Sequence, residues 1–183
     1  MIAVTASLPA FRHHPDPIAS GSISASDAKC ACCKQSRGYL YEGPVYGEED
    51  EVPLCPWCIH DGSAHAKLDV TFVDSEAFDD DASAEAMDLI CERTPGFNAW
   101  QGERWPSCCG EPAAFVTPAG AEEIRTKYPR LEGPLMMYIV HDMSISGGAA
   151  RRLLDSLQKD QSPTAFIFKC LHCDNMPVYV DRL

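Results

Sequence analysis

Cys30-Ala31-Cys32-Cys33 and Cys55-Pro56-Trp57-Cys58 are two close cysteine pairs separated by a loop. Each pair can bring two thiolates to within about 2.3 Å of one ion, so the C-x2-C spacing predicts a tetrahedral zinc held by Cys30, Cys33, Cys55 and Cys58. Cys32 is left as a spare thiol, and a register using Cys32 is the competing choice. The segment between the pairs is expected to form a hairpin through Tyr39–Tyr41 and Gly43–Tyr46, which makes the module a zinc ribbon. Its tip carries four acids, Glu48, Glu49, Asp50 and Glu51.

A second, looser set lies further along, at Cys108-Cys109 and Cys170-Leu171-His172-Cys173. The last knuckle needs two more donors, and the adjacent cysteines can supply them, with His172 as an alternative to one of the two. The expected cofactor is therefore zinc, as two ions. A ten-cysteine chain with no basic, apolar leader is expected in the reducing cytoplasm, where paired cysteines are read as metal ligands before disulfides. No apolar run approaches the roughly 20 residues of a membrane helix.

Composition excludes other classes. The hydrophobic share of 45% supports a globular core, and the net charge of −12 disfavours direct nucleic-acid binding, whose affinity comes from lysine and arginine. A basic partner suits that charge better. No phosphate loop, His-Glu-x-x-His or nucleophile elbow is present, and four-cysteine sites lack an open coordination position, so the chain is expected not to be an enzyme. His141-Asp142 near Ser144 and Ser146 is sequence adjacency and no triad.

The predicted fold class is α+β: an N-terminal zinc ribbon packed on or next to a small α+β domain with the second cysteine knuckle. Residues 1–73 form an extended arm plus the ribbon, residues 74–82 an acidic linker, and residues 83–183 the second domain. The arm, Leu8–Ile18, is proline-punctuated and expected to lie along the surface, and Ser20–Ser26 reads as a flexible approach to the first site. Val70–Val73 reads as a strand, and Asp61 or Ser63 as the cap of a short helix. Helices are predicted over Ser83–Arg93, with Met87, Ile90 and Cys91 on one face, from Thr117 to Tyr128, and over Gly147–Lys159. Strands are predicted at Ala113–Val116, at Leu135–Val140, and on both sides of the last knuckle. Asp79, Asp80 and Asp81 end an acidic run with no base, and Trp100 and Trp105 are either core residues or partner anchors.

Leu8-Pro9-Ala10-Phe11 with His14-Pro15-Asp16-Pro17, the Cys30–Cys33 cluster, Leu54-Cys-Pro-Trp-Cys-Ile59 with Asp61-Gly62, Arg93-Thr-Pro-Gly-Phe97 with Trp100-Gln101, and Phe168-x-Cys-x-x-Cys173 resemble the CbrC family over nearly the whole chain. That family is associated with colicin tolerance, and relatives sit beside bacterial toxin genes as immunity proteins. The chain departs from the family's ending, with Asp174 where glycine follows the last knuckle. The resemblance implies protection against a toxin. Joined to the charge, it predicts a zinc-stabilised immunity-type protein that binds a basic cognate toxin through Glu48–Glu51 and Asp79–Asp81, with Trp100 and Trp105 as anchors. The alternative is a zinc-ribbon module for nucleic acid or the transcription and translation machinery.

Overall fold

The computed structural model describes residues 7–48, 52–80 and 82–183. Its centre is a three-stranded antiparallel sheet of β5 (Ala114–Ala119), β6 (Thr164–Lys169) and β7 (Val178–Asp181), in the order β5-β6-β7. Side chains alternate between sheet faces with period two, so each face builds its own core. Ala165, Ile167 and Val180 pack with helices α4 (Ala121–Lys127), α5 (Glu132–His141) and α6 (Gly147–Asp155). Phe166, Phe168 and Tyr179 face the other way, into an aromatic core with Phe97, Trp105 and Phe115. Phe97 is its hub, stacked 4.0 Å from Phe115 and 5.4 Å from Trp105.

The N-terminal part carries a two-stranded ribbon, β1 (Ile23–Ser26) and β2 (Gly38–Tyr41), then helices α1 (Pro56–His60) and α2 (Ser63–Leu68). The architecture is thus mixed α+β with small sheets. Among the described residues no helix is long and apolar enough to cross a membrane.

Several local expectations are corrected. The predicted hairpin over residues 39–46 does not form. β2 instead pairs upstream with β1, Ile23 opposite Tyr41, and the Glu42 amide extends the ladder to Ser22 O at 2.9 Å. The stretch read as a flexible approach is therefore a strand. Val70–Val73 contributes a single bridge, Thr71 to Tyr46. The second knuckle itself opens α1, with Pro56 in the first turn where its missing N–H costs nothing. α2 begins after Gly62, and the Asp61 carboxylate accepts the amide of Ser63, its first residue, at 2.8 Å.

Leu135–Val140 is helical rather than extended. A six-residue apolar run fits either period. Leu135 and Ile139, four apart, are buried while Met137 between them is 59% exposed, whereas a strand would put all three on one face. Thr117 and Pro118 belong to β5, beyond a bulge between Phe115 and Thr117, where proline's missing donor is tolerated. α4 starts later, and the Glu123 carboxylate accepts the Gly120 amide at 3.0 Å. α6 ends at Asp155, four residues short of the predicted Lys159. The helix predicted from Ser83 is present as α3 (Ala84–Arg93), with Ser83 capping the Ala86 amide, and Cys91 is buried as expected.

The arm is not a surface strap. Phe11, His13 and His14 are buried, and the Phe115 amide donates to His13 O at 2.7 Å. His14 Nδ1–H donates to Pro95 O at 2.6 Å, which leaves Nε2 of the neutral ring to accept from the Ser20 hydroxyl at 2.7 Å. Residues 94–97 receive this contact and close the two parts together. Gly96 is required there, because a Cβ would stand 2.1 Å from Phe72 O. Its amide donates to the Tyr41 hydroxyl at 3.0 Å, and the Thr94 hydroxyl to Leu89 O at 3.1 Å. Residues 74–82, read as a linker, carry a 3-10 turn at Ser75–Ala77, and Phe78 stacks on Trp105.

Burial outweighs the hydrogen bond to Pro95 and holds His14 down at about 4, against 6.5 for the ordinary side chain. The unfolded chain therefore binds the extra proton between those values, and stability falls as pH drops from about 6.5 towards 4. Burial of His13 lowers it as well, despite Glu111, so both rings act in the same direction. Replacing His14 with alanine is expected to cost about 2–4 kcal/mol in urea unfolding at pH 7, by orphaning Pro95 O and opening a cavity. The difference between wild type and His14→Gln should shrink below pH 6.5, by up to about 1.4 kcal/mol per pH unit.

Candidate metal centres

Four sulfurs placed tetrahedrally about 2.3 Å from an ion stand about 3.8 Å apart. Cys30, Cys33, Cys55 and Cys58 form one such group and Cys108, Cys109, Cys170 and Cys173 another, with all ligand atoms of each group within 4.8 Å of one another. The individual separations match the requirement: 3.9 Å for Cys33 to Cys55, 3.9 Å for Cys108 to Cys173, and 3.7 Å for Cys109 to Cys173. Both sets can hold a metal ion.

In the first group, Lys34 turns the chain with φ 60 and donates its amide to Cys30 O at 2.8 Å. That turn aims Cys33 at the site in place of Cys32, whose thiol points to the Ser63 hydroxyl at 3.5 Å. The Cys55 amide donates to Cys30 Sγ at 3.3 Å. Arg37 covers the ring of Trp57 at 4.2 Å, closing the loop over the second knuckle. Cys30 and Cys55 are fully buried.

The second group is assembled by the sheet. Ala114 on β5 faces Lys169 on β6, which brings the residues just before β5 to the knuckle just after β6. The two adjacent cysteines sit in a tight hairpin between β3 (Ser107–Cys108) and β4 (Glu111–Pro112). Cys109 and Gly110 both take positive φ, 57 and 79, the conformation of a two-residue hairpin turn. Neighbouring side chains that diverge in a strand converge here. His172 is not in the group: its Nε2 meets Glu111 Oε2 at 2.5 Å, while its amide donates to Cys170 Sγ at 3.4 Å. His13 and His14 are likewise committed to carbonyls.

The electrostatics of bare thiols show why a cation suits these sites. Burial opposes ionisation of Cys30, but amides of Cys33, Cys55 and Cys32 bring it down to about 7. Burial and then the Cys30 charge push Cys55 up to about 11, and burial also raises Cys58. In the second group the His172 amide brings Cys170 down to about 6, while Cys173, Cys170 and Cys108 push Cys109 up to about 12. One thiolate forms readily in each set, while ionisation of Cys55 and Cys58 in the first and of Cys108 and Cys109 in the second is resisted until a positive ion shares the charge.

The other candidate residues diverge. Trp105 is no anchor: it is fully buried, and its indole N–H donates to Ala113 O at 2.7 Å. Trp100 is 39% exposed and fixed from behind, its indole N–H on Thr164 Oγ1 at 3.0 Å and its amide on Asp181 Oδ2 at 2.5 Å. Glu48, Asp79 and Asp80 are exposed, and Asp79 also accepts the Ser107 amide at 2.9 Å. Glu49, Asp50, Glu51 and Asp81 lie outside the described residues. Sequence reasoning missed the cleft of about 390 Å³ between the Tyr46–Thr71 bridge and α3, where Asp74, Asp88 and Glu92 stand around Met87 and Cys91. Asp88 and Glu92 share one face of α3, but Asp74 lies outside that helix, so no local pattern brings the three together. Beside it, Glu103 is buried and accepts from the Tyr46 hydroxyl at 2.7 Å and the Asp74 amide at 3.1 Å.

A family model described as "Uncharacterised protein family (UPF0167)" matches residues 8–182. The chain is 41% identical over 169 residues to "UPF0167 protein PA1536" of Pseudomonas aeruginosa, covering 91% of this chain and 92% of that protein. It is 39% identical over 176 residues to "UPF0167 protein Mb2317" of Mycobacterium bovis and to "UPF0167 protein MT2352" of Mycobacterium tuberculosis, covering 95% of this chain and 93% of each. No solved structure matches.

Elemental analysis of purified protein is expected to give close to two metal ions per chain, one for each cysteine group. Cys55→Ser should remove one and Cys170→Ser the other. A loss of about 3 kcal/mol on removal would lower the melting temperature by roughly 6–12 °C in a chain of this size.

Proposed function

This chain belongs to the UPF0167 family, and we propose that it is a zinc-stabilised, non-catalytic cytoplasmic protein that protects its cell by binding a basic toxin. The metal reading follows from the donor sets. Four thiolates at tetrahedral spacing, with no oxygen or nitrogen donor, favour zinc, and four protein ligands close the ion to substrate. The two ions then act as cross-links that hold a binding surface in shape.

The observation that carries the partner's chemistry is the acid-rich face around the cleft at α3. Asp74, Asp88 and Glu92 line it, and among the described residues no lysine or arginine does. Glu76, Asp79 and Asp80 continue the charge across exposed residues. Its floor is partly apolar, so a lysine or arginine side chain could place its stem on Met87 and its charge among the carboxylates. Trp100, exposed but pinned by two hydrogen bonds, is the anchor this reading retains. A net charge of −12 also steers a basic protein towards the surface and a phosphate backbone away from it. The resemblance to the CbrC family supports the protective role.

The test pairs the protein with a toxin encoded beside its gene. Co-expression is expected to protect, and a Glu76→Gln, Asp79→Asn, Asp80→Asn variant to slow association about ten-fold at low salt, a difference that vanishes near 1 M salt. Asparagine at position 79 keeps an acceptor for the Ser107 amide, so folding should persist. Unchanged, salt-insensitive binding would remove the charge argument, and a salt-dependent complex with RNA or DNA would favour a nucleic-acid module instead.

A further inference from the structure

We propose that Cys109 and Cys173 form an oxidation site at which a hydroperoxide closes a disulfide and frees the ion of the second cluster, leaving the first intact. The inference rests on the metal reading of that cluster and is independent of any toxin.

Oxidation of a bound thiolate needs access. Cys30 and Cys55 of the first group are fully buried and Cys58 is 3% exposed, so only Cys33 offers a partly open sulfur. In the second group Cys109 and Cys173 are both exposed, while Cys170 is buried and Cys108 half-buried. The two clusters share a ligand set and differ in what water can reach.

Geometry then selects the pair. Cys109 Sγ and Cys173 Sγ stand 3.7 Å apart, nearer than Cys108 to Cys173 at 3.9 Å or Cys108 to Cys109 at 4.0 Å, and must close to about 2.05 Å. Cys108 with Cys109 is a poor rival. Adjacent Cα atoms are about 3.8 Å apart, below the roughly 4.4–6.8 Å that disulfides span. Cys170 is sheltered, and its sulfur already accepts the His172 amide.

The chemistry balances as follows. One thiolate of the pair attacks a peroxide oxygen. The O–O bond breaks, the departing oxygen takes a proton from water, and the sulfur becomes a sulfenic acid. The second thiolate attacks that sulfur, expelling hydroxide, which is protonated to water, and the S–S bond forms. Two electrons pass from the sulfurs to the peroxide. Cys108 and Cys170 are left as two ligands for an ion that had four, and it dissociates. Hydrogen peroxide is neutral, so the acidic field of the chain does not repel it, as it would an anionic oxidant. A dithiol reductant with added zinc reverses the change.

The protein is loaded with zinc, its metal content is verified, and it is then exposed to hydrogen peroxide with a chromogenic zinc chelator. The expected result is fast release of one equivalent, with the second slower by at least about ten-fold. Peptide mapping after alkylation should show a Cys109–Cys173 bridge, and dithiothreitol with zinc should restore the starting state. Cys173→His keeps a donor for the ion but cannot form the disulfide, and it is expected to retain its zinc under the same treatment. Cys91→Ala should release zinc as the wild type does. Release of both equivalents at one rate, first bridging among Cys30, Cys33, Cys55 and Cys58, or release with no bridge from Cys109 to Cys173 would overturn the proposal. Fewer than two zinc ions before peroxide is added would instead overturn the metal reading, and this proposal with it.

Discussion

Four sulfurs held within 4.8 Å of one another cannot all carry charge unless a cation sits among them, and this electrostatic demand shapes both ends of the molecule. At the first site, amides favour the Cys30 thiolate and burial resists ionisation of Cys55 and Cys58, so an ion there would let the knuckles meet. At the second, the demand links the hairpin before β5 to the turn after β6, some 60 residues away. Each ion would add its binding free energy to folding, in a chain whose N-terminal ribbon has only two strands and could not stand alone.

Between the two sites, hydrogen bonds do what metal cannot. The arm passes through the middle with His14 bridging Pro95 and Ser20, and residues 94–97 fit against Phe72, Tyr41 and the aromatic core. A glycine at position 96 permits the close approach, and Phe97, one residue on, fills the centre of the core. The Arg93–Phe97 stretch is thereby explained without any catalytic role. Its side chains and backbone groups are spent on structure, including Arg93 Nε donating to His60 O at 2.9 Å.

That rigidity bears on recognition. Trp100 projects from a loop tied to Asp181 and Thr164, so an exposed aromatic is held without much freedom left to lose on binding. The acidic cleft is backed by α3 and by Glu103, which is desolvated yet doubly hydrogen-bonded. Burial raises Glu103 above the usual carboxylate range, which moderates the negative charge behind the cleft and leaves the exposed acids to set the field.

The ligand pairs Cys30/Cys33, Cys55/Cys58 and Cys170/Cys173 were legible in the sequence because two-residue spacing is local and sets sulfur proximity by itself. So were α3, through its apolar stripe, and the α+β class. What lay beyond local pattern needed the folded chain. The six apolar residues from Leu135 to Val140 suit a helix or a strand equally, and only packing against the sheet chose the helix. Ile23–Ser26, within the stretch read as flexible, became a strand because its partner, β2, lies past the first knuckle. Trp105 and the arm histidines look like surface candidates until distant carbonyls, Ala113 O, Pro112 O and Pro95 O, satisfy their nitrogens inside the core. The sequence by itself determined which residues could bind metal. The tertiary structure alone decided that adjacent cysteines converge on a left-handed turn and that one cluster is buried while the other meets water, because burial depends on contacts between residues far apart in the chain.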